Sequence, residues 1–380
     1  MSNLAATESI WSAPKTTSAR LPDHVDVVVV GAGMAGLQIA KQMVKLGMDI
    51  LVLEKRTQPA MGMATRGLGI ASIVLLDPPF RLIQAVGLGV AREITRFTSE
   101  SVAMLGPRLS PVGVGYLPKG SNESSEVEAN LQAMTAMGLS AERWNEHGYP
   151  GLGAGWRQPQ GGTVEPQSMM QDLTHNVPIA TDQEVTDIVD SGFELQVQTN
   201  KGVKIRTELV IMSGGAQLTP WAKEKFYPVR HQSLATEATR PLVPCPLHLQ
   251  YGYTSIRQTV AGQMVVAGCR WASPHLEVGE TDDGVINPAI HAKLSAFLRQ
   301  HIPGTDALKI THCWSSIMTF SCDGLPVIGP LPGRPRIISC GGFGAFGPSL
   351  SARAAKAVVD GITTGTSPGV PECFSTQRFE

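Results

Sequence analysis

Cysteine is sparse and one-sided in this 380-residue chain: there are six, at Cys245, Cys269, Cys313, Cys322, Cys340 and Cys373. None forms C-x-x-C and no Cys/His spacing fits zinc, so neither a disulfide framework nor a metal site is expected. The six read as reduced, mostly buried thiols of a cytoplasmic protein. Net charge is almost absent, with 31 Lys and Arg against 32 Asp and Glu. Nothing in that balance calls for nucleic acid or an anionic membrane as partner. Long apolar runs are missing too, because glycines and charges interrupt every one before it could span a bilayer. The opening MSNLAATESIWSAPKTTSAR lacks a basic start followed by an apolar core, so it is not a secretory signal. It reads as a surface-lying extension with Ile10 and Trp11 as a docking point. Repeats and low-complexity tracts are also missing. What is plentiful is glycine (40), proline (27) and apolar side chains (42%), the make-up of a mixed α/β chain long enough for two domains.

The stretch that organises the rest runs from His24 to Arg56, HVDVVVVGAGMAGLQIAKQMVKLGMDILVLEKR. The run Val27–Val30 reads as a buried strand. Gly31, Gly33 and Gly36 follow in the spacing G-x-G-x-x-G, with Met34 and Ala35 inside the turn. Leu37, Ala40, Met43, Val44 and Leu46 recur at helical spacing, and Gly47 marks a stop. A second apolar run, Ile50–Leu53, ends in Glu54. Each part suits a dinucleotide. Gly31 permits the sharp turn, Gly33 lets a pyrophosphate approach the backbone, and Gly36 lets the helix lie close on the strand. The helix N-terminus offers free N–H groups to phosphates. Glu54 can accept hydrogen bonds from ribose hydroxyls, and an acid there disfavours a 2′-phosphate. This segment alone leaves FAD and NAD both open.

Beyond Arg56 an irregular, glycine-punctuated loop carries Thr65, Arg66 and Gly67. Helical patterns cover residues 80–105, 126–137, 167–173, 290–301 and 349–362. Residues 185–197 read as strand, turn and strand, and residues 203–212 continue the sheet as far as Ser213, Gly214 and Gly215. A strand ending in glycines allows close approach of a cofactor. From Pro228 the texture changes to long alternating strands over residues 231–237, 247–260 and 263–270, which predicts an antiparallel sheet in a second domain.

Four stretches then line up with one family. They are the glycine unit with Glu54; LVIMSGG at residues 209–215; YGYTSIRQT at residues 251–259; and WSSIMTFSCDGLPVIGPLPG from Trp314, followed by RPRIISCGGFG to Gly344. In this order they resemble the FAD-dependent D-amino-acid oxidase superfamily, within it the branch of glycine oxidase, sarcosine oxidase and γ-glutamylputrescine oxidase. The resemblance covers nearly the whole chain. It implies an α/β fold: a Rossmann-like FAD-binding domain (residues 25–105, 160–225 and 320–370) and an α+β substrate domain on an antiparallel sheet (residues 106–159 and 226–319). Residues 1–24 and 371–380 would be an extension and a tail. The cofactor contacts it implies are Gly31, Gly33, Met34, Ala35, Gly36, Glu54, Lys55, Arg56, Thr65, Arg66, Gly67, Val185, Ser213, Gly214, Gly215, Asp323, Gly342, Phe343, Gly344, Phe346, Gly347 and Ser349. The helix beginning near Ser349 would direct its positive end at the flavin.

The sequence departs from the family pattern in four places. Ser321, Cys322 and Asp323 stand where many members carry T-P-D. Phe346 stands where members often carry histidine. Ser316 falls where some sarcosine oxidases attach FAD through cysteine, so non-covalent FAD is expected, with Cys313 as the minor alternative. The lysine that sarcosine oxidases use toward oxygen has no counterpart, and only His275 lies near its place.

The resemblance implies oxidation of the C–N bond of a small amine or amino acid, giving an imine that hydrolyses, with O2 reduced to hydrogen peroxide. Flavin chemistry of this kind needs mainly binding, orientation and exclusion of water. Arg257 is the candidate for a substrate carboxylate, since its guanidinium can donate two parallel hydrogen bonds. Period-two alternation puts Tyr251 and Tyr253 on the same strand face. His231 and Phe346 complete the catalytic candidates, and Trp271, Trp314, Phe343 and Phe346 could wall a cavity. Three other readings stay open: a dehydrogenase of an amine or 2-hydroxy acid that uses a quinone or carrier protein, the oxidase half of a tRNA-modifying enzyme, and a flavin-binding protein without turnover. The neutral charge argues against the tRNA reading. Substrate identity and oligomeric state are left open.

Overall fold

The computed structural model describes residues 6–75, 78–118, 124–145, 148–213 and 220–380. The chain divides into two compact units.

One unit comprises Trp11–Thr65, Pro166–Pro228 and Met318–Glu380. Its eight-stranded sheet is built outward from His24–Val30. That strand pairs in parallel with Ile50–Leu53 on one side and with Lys204–Met212 on the other. Arg334–Gly341 extends the parallel set from Lys204–Met212, and Val327–Leu331 returns antiparallel beside it. The reason lies in the side chains. Val27–Val30 are β-branched and at most 6% exposed, so both faces of this strand are covered, as in a parallel sheet. Val28 and Val30 join Leu51, Leu53, Val210 and Ile337 in the core of one face. Burying each such valine is worth about 1.5–3 kcal/mol. The helices Met34–Lys45 and Gly347–Thr364 pack on each other, and Gln38 Nε2 of the first donates to the Ser351 hydroxyl of the second at 2.6 Å.

The other unit comprises Met1–Ile10, Arg66–Glu165 and Val229–Ile317. Its sheet runs in the order Ile310–Ser321, Phe226–Ala238, Gln263–Gly268, Thr254–Gln258, Leu247–Leu249, Val114–Leu117, Gly155–Gln158, Glu142–Trp144. Pairing is antiparallel at each junction with a described register except one, Leu247–Leu249 beside Val114–Leu117. One face carries Leu117, Leu234, Leu247, Leu249, Ile256, Met264 and Val266. They meet Ile290, Leu294, Phe297 and Leu298 of the helix Pro288–His301, whose first turn is capped by the Asn287 side chain.

Several expectations are corrected. Residues 66–105 fall with the antiparallel sheet rather than with the dinucleotide unit. Ile70–Ala71 pairs with Gly162–Val164, and the Thr98 hydroxyl donates to the Ile73 carbonyl, which ties this segment there. Residues 11–24 and 371–380 belong to the dinucleotide unit rather than standing apart as extension and tail, and Trp11, 5% exposed, is a buried anchor within the otherwise mostly exposed residues 6–24. The alternating stretch 247–260 is not one strand. Gln250 and Tyr251 adopt positive φ (52° and 57°), so the chain turns between Leu247–Leu249 and Thr254–Gln258. All six cysteines are free, and Cys245, Cys269, Cys313 and Cys340 are buried. Among the described residues, no helix is long and apolar enough to cross a membrane.

Candidate cofactor site

The glycine turn sits at the C-terminal ends of parallel strands. Gly31 has φ +99°, which L side chains avoid, and its N–H donates to the Leu53 carbonyl at 2.8 Å. A Cβ on Gly36 would lie 2.1 Å from the Gly31 carbonyl oxygen and 2.4 Å from Ser213 Oγ. Only glycine lets the helix Met34–Lys45 come this close. Ser213 holds the same turn, its hydroxyl lying 2.9 Å from the Val30 carbonyl and 3.1 Å from that of Gly31. Ala60, whose N–H donates to the Ala32 carbonyl, accepts the Thr65 hydroxyl at 2.7 Å.

Gly33 behaves differently. Its φ of −84° and ψ of −173° suit any residue, and a Cβ there would meet nothing within 4 Å among the described residues. Neither backbone strain nor packing of the chain on itself accounts for glycine at this position. The cleared space beside a helix N-terminus fits a pyrophosphate. Gly341 is a second such case, with nothing within 4 Å of its Cβ position.

Glu54, 8% exposed, clasps the turn. Its Oε2 accepts from Ala32 N at 2.8 Å and its Oε1 from Arg56 N at 2.9 Å. A carboxylate has about four lone-pair sites, so acceptor capacity remains for ribose hydroxyls. Lys55 is exposed and Arg56 half-buried. Val185 is buried at the start of its strand, two residues after Gln183, whose N–H donates to the Glu54 carbonyl.

The second half of the site is the turn after Arg334–Gly341. Gly342 has φ +72° and Gly344 +52°, and a Cβ on Gly344 would stand 2.4 Å from the Phe320 ring. Phe343 is half-buried and its carbonyl accepts from Phe346 N at 2.8 Å. Phe346, 8% exposed, precedes the helix Gly347–Thr364 but gives it no side-chain cap, and no acid lies in the first turn. Gly33 likewise gives the helix Met34–Lys45 no side-chain cap. A Cβ on Gly347 would lie 3.8 Å from Met34 Sδ, so the two uncapped N-termini are neighbours. Ser349 is fully buried. Uncapped N–H groups and the positive ends of two helix dipoles favour an anionic ligand.

Asp323 is tied to the chain itself. It accepts from Ser321 Oγ and Leu325 N and pairs with Arg378 at 2.6 Å. Burial pushes its carboxyl up, but Arg378, Leu325 N–H and Ser321 outweigh that and hold it below the usual range. Arg66 and Gly67 belong to the antiparallel unit. There the Arg66 guanidinium meets Asp283 at 2.9 Å and the Ser315 carbonyl at 3.1 Å. Gly214 and Gly215 lie outside the described residues.

Of the catalytic candidates, Phe346 lies in the dinucleotide unit, and Arg257, Tyr251, Tyr253 and His231 are dispersed within the antiparallel unit. Arg257 is 1% exposed, and its Nη1 donates to the carbonyls of Leu68 (2.7 Å) and Val164 (2.9 Å) while Nη2 pairs with Glu165. A substrate carboxylate would have to compete with these bonds. Burial lowers the Arg257 pKa and Glu165 opposes the shift. Tyr251, in the turn, donates to Glu126 Oε2 at 2.8 Å, whereas Tyr253 is 49% exposed. The expected shared face with Arg257 is lost because that turn interrupts the alternation. His231 is half-buried, and burial together with Arg270 pushes its pKa down to about 3. Trp314 is buried and donates to the Arg66 carbonyl, and Trp271 is exposed.

A buried network escaped the sequence reading. Glu277, 3% exposed at φ +60°, accepts from Arg230 at 2.6 Å, Gln232 at 3.0 Å and Asn287 at 2.8 Å. Gln232 in turn meets His291 at 3.0 Å. Glu277 sits in an irregular loop, where no periodicity signals burial.

Comparison with solved structures supports the same fold. L-proline dehydrogenase from P. horikoshii matches with a TM-score of 0.76 at 19% identity, over 94% of this chain and 98% of that one. Glycine oxidase from Bacillus cereus ATCC 14579 gives 0.74 at 16%, over 92% and 97%. L-amino acid deaminase from Proteus myxofaciens gives 0.75 at 17%, over 99% and 98%. A thiamine thiazole synthase of Methanococcus vannielii is 36% identical over 82 residues, and the match spans only 31% of that protein. The model of the DAO family, FAD dependent oxidoreductase, matches residues 26–361. That match spans most of the chain, and the chain belongs to the DAO family of FAD-dependent oxidoreductases.

Proposed function

We propose that the protein oxidises the C–N bond of a small amine or amino acid and passes the electrons to O2, releasing hydrogen peroxide. The observation that carries the reading is the family match over residues 26–361, joined to a cradle whose Gly33 the chain itself does not require. When bound, FAD supplies the two-electron acceptor for the hydride of the substrate's α C–H, leaving an imine that water hydrolyses to a carbonyl compound and an amine.

The chain's contribution is to hold and to orient. Glu54 fixes the glycine turn and offers its remaining lone pairs to the ribose. Gly33 and the N-terminus of Met34–Lys45 receive the pyrophosphate. The uncapped end of Gly347–Thr364 carries roughly +0.5 elementary charge, which stabilises negative charge beside it. Binding is non-covalent in this reading. Cys313 is 2% exposed and burial pushes its thiol up to about 11, so the nucleophilic thiolate is scarce at neutral pH.

A second reading keeps the reaction and changes the acceptor to a quinone or carrier protein. It is favoured by the missing lysine and by the mixture of oxidase and dehydrogenase among the similar folds. Oxygen uptake with an oxidised amine decides. Peroxide formed in equal amount to product supports the oxidase; dye reduction without oxygen uptake supports the dehydrogenase and removes O2 as acceptor.

A further inference from the structure

Gly342 opens the turn that leads from Arg334–Gly341 into the helix Gly347–Thr364. Glycine has the widest choice of backbone conformations, so a turn that starts on one keeps a single shape only where its neighbours restrict it. Gly342 has three such neighbours. A Cβ on it would lie 3.1 Å from the Phe226 ring, 3.5 Å from the Leu325 carbonyl oxygen and 3.6 Å from Ser321 Cβ. All of them lead back to residues 371–380.

One line is polar. The Ser321 hydroxyl lies 2.5 Å from the Leu325 carbonyl oxygen and 2.9 Å from Asp323 Oδ1, which also accepts from Leu325 N at 3.1 Å. Asp323 is gripped in turn by Arg378. Nε donates to Oδ2 at 2.6 Å, Nη2 donates to Oδ1 at 2.9 Å, and Nη2 also reaches the Leu325 carbonyl at 3.1 Å. This is the two-point match of a guanidinium to a carboxylate. The other line is aromatic. The Phe226 ring stands edge-on to Trp221 at 6.1 Å, and Trp221 stands edge-on to Phe379 at 5.9 Å. The Arg378 guanidinium lies 4.2 Å from the centre of the Phe379 ring, which joins the two lines.

The segment that carries both residues is itself anchored. Phe374 and Thr376 are fully buried. The Thr376 hydroxyl donates to the Pro330 carbonyl, and Pro330 pairs with Ile338 of Arg334–Gly341. The Ser375 side chain accepts from Gln377 N at the start of Thr376–Phe379. A fixed support therefore presents Arg378 and Phe379. The ion pair adds little to global stability, because Asp323 is 35% exposed. What its geometry does is keep Ser321 and Leu325 in place against Gly342.

We propose that Arg378 and Phe379 are positioning residues for the cofactor. Acting through Asp323, Ser321 and Leu325 on one line and through Trp221 and Phe226 on the other, they hold the turn 342–344 in one shape, so that its backbone is preset for FAD. A site held ready in this way spends less of its binding energy on ordering itself. The proposal rests on the reading that this turn faces FAD.

The test is FAD titration of the full-length apoprotein, followed by flavin fluorescence, beside urea unfolding of the same apoprotein. Arg378→Ala should raise the Kd for FAD about tenfold, the scale of one lost charge-assisted contact. The control is Arg336→Ala. Arg336 pairs with Asp190 at comparable exposure (29% and 33%), near the opposite end of Arg334–Gly341. The two variants should unfold at similar urea concentrations, yet Arg336→Ala should keep FAD affinity within about twofold of the parent. Phe379→Leu, which acts through the aromatic line, should weaken FAD binding about threefold. Visible circular dichroism of the flavin at saturating FAD should change in Arg378→Ala and stay as in the parent in Arg336→Ala. Equal FAD affinity in Arg378→Ala and Arg336→Ala, or a loss of affinity in both that follows an equal loss of stability, overturns the proposal. A parent protein that takes up no FAD would overturn the cofactor reading and the proposal with it. The readout is binding, so it is independent of which amine the enzyme turns over.

Discussion

Replacing Gly33 by alanine separates what the fold needs from what the cofactor needs. The added Cβ meets no atom of the described residues within 4 Å, and the backbone at φ −84° and ψ −173° already suits an L residue. Stiffening the unfolded chain favours the variant by about 0.4–1 kcal/mol. Alanine is a poorer N-cap than glycine, which offsets that by a similar amount. The apoprotein of Gly33→Ala should therefore unfold in urea within about 1 kcal/mol of the parent. Cofactor binding should not survive so well. The methyl group occupies the space a pyrophosphate must enter, and even one lost close hydrogen bond to a charged group is worth about 1.5–3 kcal/mol, tenfold or more in Kd. Gly36→Ala is the control. Its Cβ would stand 2.1 Å from a backbone oxygen, so overpacking should cost about 1–3 kcal/mol or more with or without FAD. The assay is urea unfolding of both apoproteins with FAD titration followed by fluorescence. Gly33→Ala binding FAD as tightly as the parent would refute the reasoning, because the cleared space would then serve no ligand.

Other outcomes follow from the buried groups. His248 and His291 are each held near 4 by burial against 6.5 when unfolded, so the unfolded state binds more protons between those values. Stability should be complete above pH 6.5 and fall as pH drops toward 4, by about 3 kcal/mol per histidine over the window. Urea midpoints measured across that range check it, with His291→Leu flattening the slope. Glu277→Gln takes from Arg230 its buried carboxylate and leaves only the half-exposed Glu280 at 3.3 Å, and should cost about 3 kcal/mol, read from the same melts. Asp323→Asn should cost only about 1 kcal/mol, because the pair with Arg378 is partly solvated (35% exposure at Asp323). Acid precipitation should release all the flavin into the supernatant, and Cys313→Ser should leave the bound fraction unchanged; flavin remaining with the pellet would mean a covalent link.

The dinucleotide half was legible because its constraints are local. Strand, turn, helix and acid follow one another within residues 24–56, and each residue type reports a backbone requirement. Even so, the reason for Glu54 was half hidden: its bond to Ala32 N closes across the turn and appears only once the strands pair. The antiparallel unit was harder to read. Period-two alternation in YGYTSIRQT pointed to one face for Tyr251, Tyr253 and Arg257, yet the positive φ of Gln250 and Tyr251 breaks the strand, and neither residue announces such a turn. Arg257 reads in sequence as an anion binder. Its carbonyl partners, Leu68 and Val164, are 189 and 93 residues away, beyond any local pattern. Asp323 stands among the cofactor contacts the resemblance implies, yet its partner is Arg378, 55 residues later.

The most direct test of the central claim is anaerobic mixing of the purified protein with a panel of amines, N-methyl amino acids and D- and L-amino acids, followed at the flavin absorbance. The account expects yellow protein as isolated, bleaching by one of these classes, and recolouring when air is admitted. Bleaching by a 2-hydroxy acid and by no amine would contradict C–N oxidation, and a colourless protein that takes up no added FAD would contradict the cofactor site itself.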